Sequence, residues 1–147
     1  MKKVILLIPI FFATAFFSQS LKAQSEAQRI ELCAKMTQGA TFISSYTAQL
    51  AAALDGQRAP VFRQGILMTK GNRYRFTICT DDDSAGEAII QILNAGRVMG
   101  SNVTESGELR TSIDIECQKT DAYVIVISIK DGRDGSAVSI LSHVRTL

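Results

Sequence analysis

Two stretches of strict alternation constrain what this chain can fold into. Between Gly71 and Cys79, Tyr74, Phe76 and Ile78 alternate with Arg73, Arg75, Thr77 and Cys79. Between Ile113 and Ile129, Ile113, Ile115 and Cys117 lead through a polar corner into Tyr123, Ile125, Ile127 and Ile129. A period of two sends successive side chains to opposite faces, which is the signature of a strand and not of a helix. An apolar strand face must then be buried against a second layer.

The same reading extends over the rest of residues 61–147. Val61 to Met68 forms a strand with Phe62, Ile66 and Met68 on one side, and Gly65 marks a bulge or a close approach. Ala88 to Leu93 is apolar on both faces, as a central strand is. Val98 to Val103 returns as a short strand, and Ala137 to Val144 closes the chain. Lys70-Gly71-Asn72, Asn94-Ala95-Gly96-Arg97 and Asp131-Gly132-Arg133-Asp134-Gly135 are turns. About seven strands without long intervening helices predict a mainly β fold, an antiparallel β-sandwich, with a partly open barrel as the alternative.

Residues 24–55 read differently. Ser25 can cap, Glu26 suits a first turn, and Ala27, Ile30, Cys33 or Ala34, Thr37, Ala40 and Ile43 recur at helical steps. Two readings stay open beyond Gln38. One helix runs to about Ala53, favoured by Ala51-Ala52-Ala53, or it stops near Gln38 before a second helical segment or a strand over Tyr46 to Leu50. Its apolar stripe should lie against the β part or against a partner.

The N-terminus carries a basic start (Met1-Lys2-Lys3), an apolar run (Val4 to Phe17) and a polar exit ending at Ala23. These are the regions of a secretory signal peptide over residues 1–23, leaving residues 24–147 as a single domain. The apolar run is shorter than the roughly 20 residues a spanning helix needs. The expected location is therefore the periplasm or the exterior, with no membrane span after cleavage. Removing Lys2, Lys3 and Lys22 takes the 16 basic residues to 13 against 14 acidic ones, so the formal charge of +2 becomes −1. Nothing there supports a nucleic-acid partner.

Outside the cytosol a disulfide is expected among Cys33, Cys79 and Cys117. Cys79 with Cys117 is the preferred pair, because both sit at strand ends. All three pairings remain open to sequence, and Cys33 is left buried, lipidated, paired elsewhere or reactive. Arg73 and Arg75 share a strand face, with Arg63 alongside if the strands are neighbours, as an anion- or partner-binding set. Asp81, Asp82 and Asp83, with Asp131 or Asp134, are weak calcium candidates, since acidic residues also simply stop strands. Zinc lacks a ligand set, and no cofactor is expected.

His143, the chain's one histidine, has no serine elbow or identifiable acidic partner, so no catalytic residue is assigned. Glycan stacking is disfavoured by the absence of Trp and by Tyr74 and Tyr123 falling on apolar periodicity.

The order Lys70-Gly71-Asn72-Arg73-Tyr74-Arg75-Phe76, then Ile90 to Arg97, the strand over Ile113 to Cys117 and Asp121 to Ile127, resembles the jelly-roll sandwiches of the bacterial pre-peptidase C-terminal type. Asn94 and Asp121 stand where that pattern has Asp and Gly. The chain also resembles small exported proteins of the Bacteroidota group. The resemblance implies a jelly-roll-like sandwich with an accessory role.

The expected function is a non-catalytic binding protein engaging an envelope or extracellular protein. One alternative is a small secreted hydrolase or a hydrolase regulator, whose inhibitory loop would be Asp81–Gly86 or Thr104–Glu108. Another is a self-associating structural envelope component.

Overall fold

The computed structural model describes residues 18–147, with side chains from residue 25 onward. The signal-peptide reading falls largely on residues 1–17, outside those described. Helix α1 (Ser18–Ala34) ends in a 3-10 turn over Lys35–Thr37. Eight strands follow: β1 (Thr41–Leu50), β2 (Phe62–Met68), β3 (Asn72–Thr80), β4 (Ala88–Asn94), β5 (Arg97–Ser101), β6 (Ser112–Glu116), β7 (Asp121–Ile129) and β8 (Gly135–Thr146).

The strands form two four-stranded antiparallel sheets, ordered β1-β8-β3-β6 and β2-β7-β4-β5. That interleaving is the jelly-roll arrangement. The mainly β sandwich with a helical preface, expected from alternation, is the fold observed. Between the sheets lie Tyr74, Phe76 and Ile78 of β3, Ile90 and Ile92 of β4, and Tyr123, Ile125 and Ile127 of β7. Phe76, Ile90, Ile92, Ile125 and Ile127 have no solvent exposure. Each such side chain contributes about 2 kcal/mol relative to leaving it in water.

The continuous helix to Ala53 is corrected. Gln38 (φ 53) and Gly39 (φ 79) both adopt left-handed backbone, which ends the helix. The chain then enters β1, a longer strand than the one considered over Tyr46 to Leu50. Ser44, Tyr46, Ala48 and Leu50 stand opposite Leu141, Ser139, Ala137 and Gly135 of β8. Ala51 to Ala53 are not helical. Gly65 is neither a bulge nor a close approach: it pairs with Val124 in unbroken register, and a Cβ there would meet open space.

The preferred disulfide is also corrected. Cys33 bonds Cys79, and Cys117 is a buried free thiol. Cys79 faces outward with Arg73, Arg75 and Thr77, whereas Cys117 follows the inward-facing Ile113 and Ile115 into the core. They also stand at opposite ends of the sandwich, since Cys79 is level with Val138 of β8 while the chain reaches Cys117 just past the Arg73–Glu116 pair. Cys33 instead lies on the helix face against Val138 and Ile140, with Ile30 and Ala34 beside it. The helix therefore packs on the outer face of its own sheet.

Connections differ sharply between the two ends. Residues 69–71, 95–96 and 117–120 make tight turns at one end. The longer segments, residues 51–61, 81–87, 102–111 and 130–134, all emerge at the other. Loops on a rigid sandwich are where binding residues concentrate.

Candidate binding surface at the acidic loop end

The four long loops hold most of the chain's negative charge. Asp55 lies on the first, Asp81, Asp82, Asp83 and Glu87 on the second, Glu105 and Glu108 on the third, and Asp131 and Asp134 on the fourth. These are nine of the 14 acidic residues. The same loops carry only Arg58, Arg110, Lys130 and Arg133 as basic residues. Lys70, Arg97 and Lys119 sit at or beside the tight turns of the opposite end. A sandwich with little net charge is thus electrically polarised along its strands.

The loops are braced. Ala85 N–H donates to the Asp134 carbonyl at 3.1 Å, and Ser136 N–H to Ser84 Oγ at 2.9 Å. Ser84 Oγ donates to the Ser136 carbonyl at 3.1 Å, and Arg133 Nη1 to the Ala85 carbonyl at 3.0 Å. Gly86 packs so closely on Ile129 that a Cβ would lie 2.6 Å from its Cγ2. On the third loop, buried Asn102 accepts from Ile90 N–H at 2.8 Å and donates to the carbonyls of Ala88 at 3.2 Å and Arg110 at 3.1 Å. One amide side chain ties the base of that loop to β4.

Helix α1 borders the acidic end. Arg29 pairs with Asp81, whose carboxylate also accepts from Ser136 Oγ, and Arg29 Nη1 donates to the same hydroxyl at 3.3 Å. Asp81 is thereby neutralised, while Asp82 and Asp83 have no ion-pair partner among the described residues. A cleft of about 640 Å³ runs beside the helix, lined by Leu32, Met36, the Cys33–Cys79 bridge and Asp81 to Asp83. Leu32 and Met36 are exposed. A shallower depression of about 490 Å³ adjoins it and shares Gln49, Asp83 and Ser136. The arrangement suits a partner with cationic side chains beside apolar ones.

The residues singled out from sequence are scattered. Arg73 pairs with Glu116 at 2.8 Å and Arg75 with Asp114 at 2.7 Å, both on the helix-bearing sheet. Arg63 lies on β2 of the other sheet, so the three guanidiniums do not share a face. The hydrogen bond from Arg75 holds the Asp114 carboxyl below its ordinary range, and Asp114 in turn raises Arg75. Asp81, Asp82, Asp83, Asp131 and Asp134 share one end, but no three His, Cys, Asp or Glu converge as a metal site among the described residues.

His143 lies away from the long loops, level with Thr41 of β1. Its Nε2 is 3.0 Å from Asn72 Oδ1 and its ring meets Tyr74 edge-on. Cys117 donates to the Lys119 carbonyl, and burial pushes the neighbouring Tyr123 hydroxyl up to about 12. Arg29, Asn102, Leu32 and Met36 were missed from sequence. The one legible signal was the placement of acidic residues between strands, which reads equally well as strand termination.

No family model and no curated protein matches this sequence. Among solved structures it is similar to PliG of Aeromonas hydrophila, a periplasmic inhibitor of g-type lysozyme. The TM-score is 0.51 at 11% identity, over 74% of this chain and 91% of that one. It is also similar to the pre-peptidase C-terminal domain of a Bacillus anthracis collagenase, with a TM-score of 0.48 at 7% identity, over 69% and 90% of the two chains. Neither match ties it to the Bacteroidota proteins. Among the described residues no helix is long and apolar enough to cross a membrane. The chain is a small jelly-roll sandwich whose fold resembles that of the periplasmic lysozyme inhibitor.

Proposed function

We propose that this protein is a non-catalytic binding module of the periplasm or extracellular space that engages a positively charged protein through its loop end. The observation that carries this reading is the concentration of nine acidic residues on four braced loops. Complementary charge speeds encounter and rejects wrong partners, while the exposed Leu32 and Met36 supply apolar area to retain the right one. The Cys33–Cys79 bond supports a site of action outside the reducing cytosol.

A hydrolase regulator is the specific form of this reading, because the fold is similar to that of a periplasmic inhibitor of g-type lysozyme. Purified protein titrated into a g-type lysozyme, with cell-wall lysis followed by turbidity, tests it. Saturable loss of lysis, relieved in an Asp82→Lys, Asp83→Lys variant, is expected. Undiminished lysis at saturating protein removes the lysozyme form. The broader reading is tested by co-purification from the native envelope fraction. It predicts a basic protein that elutes with salt and is lost with the same variant, and an unchanged co-purifying set with that variant overturns it.

A further inference from the structure

Four strands lie at sheet edges: β1 and β6 in one sheet, β2 and β5 in the other. An edge strand presents unpaired backbone groups, which proteins usually guard with charge, proline, glycine irregularities or short length. Three of these edges are guarded. The five-residue β6 carries Asp114 and Glu116, β5 is equally short and opens on Arg97, and β2 carries Arg63. β1 is not. Its ten residues include no charge, proline or glycine, and β8 is its only strand partner among the described residues. Phe42 and Ile43 are 51% and 46% exposed at one end of it.

We infer that β1 is a self-recognition edge, along which two copies of this chain pair antiparallel about a two-fold axis to join their helix-bearing sheets. Such an interface is isologous, so one surface suffices for both partners. The uncharged strand meets its own copy without like-charge repulsion. Antiparallel pairing sets the exposed Phe42–Ile43 end of one strand beside the Gln49–Leu50 end of the other. It also points the two acidic loop ends in opposite directions, whereas a parallel pairing would bring them together. The register shift between Phe42 and Ser44 confines regular pairing to Ser44–Leu50. The interface therefore belongs to the small, weak class, and association depends on concentration.

Sedimentation velocity of the purified protein from micromolar to millimolar concentration tests this, with hydrogen exchange at both extremes. A rising sedimentation coefficient and slowed exchange in β1 at high concentration are expected. A Ser45→Lys, Gln49→Lys variant sets like charges opposite each other in an antiparallel pair centred on Thr47 and should weaken the dimer about tenfold or more. Ser45 is half-buried and Gln49 exposed, and Gln49→Lys alone, which puts a charge on the edge, serves as the milder variant should the double change lower the urea midpoint. A constant monomer value throughout overturns the inference. So does a dimer that neither lysine variant weakens.

Discussion

Arg75 grips Asp114 with two parallel hydrogen bonds, from Nε to Oδ1 at 2.7 Å and from Nη2 to Oδ2 at 2.9 Å. Its remaining nitrogen, Nη1, donates to the Thr37 carbonyl at 3.1 Å. One guanidinium thus joins β3, β6 and the end of the helical segment. Arg75→Ala should cost about 2 kcal/mol, between the values for exposed and buried pairs. Arg75→Lys should recover only part of that, because an ammonium cannot reproduce the planar fork. Urea unfolding midpoints of the two variants check both expectations.

Acid should reveal the same pair. The Arg75 hydrogen bond depresses the Asp114 carboxyl in the fold, while in the unfolded chain it titrates at about 3.9. Between the folded and unfolded values the unfolded chain binds more protons, so stability rises with pH there. The contribution is present above the unfolded value and disappears as pH falls through the folded one. Urea midpoints of wild type and Asp114→Asn should differ at neutral pH and converge once the pH has fallen past the depressed titration of the folded carboxyl.

The Cys33–Cys79 bridge closes a separation of 46 residues, which is about 4 kcal/mol in the chain-entropy model. A Cys33→Ala, Cys79→Ala variant should lose up to that amount in urea. Peptide mapping without reductant should link the Cys33 and Cys79 peptides. Denatured, unreduced protein should react with one equivalent of thiol reagent, at Cys117. A Cys79–Cys117 peptide would contradict the pairing described.

Asn102→Ala should act locally as well as globally. It strips partners from the Ile90 N–H and from the Ala88 and Arg110 carbonyls, a loss of about 2–3 kcal/mol for buried groups left unmet. Hydrogen exchange should quicken over residues 102–111 before it does across β7.

Much of this architecture was legible because alternation in β3, β6 and β7 is strong. β1 was harder. Its inward set includes Ser44 and Ala48, whose small side chains blur the contrast between faces, and Ala51 to Ala53 pull the eye toward helix. The disulfide was legible in principle. Cys79 alternates with arginines and therefore faces out, while Cys117 continues an isoleucine row and faces in, so parity already separates them. The acidic end was visible only as scattered turn residues. It became a surface once jelly-roll topology brought four loops distant in sequence to one pole.

That topology sets the order in which the molecule can be completed. β8 runs between β1 and β3, pairing with both, yet it leaves the ribosome after the other seven strands of the sandwich. Until then β1 has no neighbour and the helix has only part of the bed on which it lies. Assembly of this sheet is therefore a late, long-range event. A chain cut short anywhere before Gly135 would not be a trimmed version of the protein, but a half-sandwich with its seam missing.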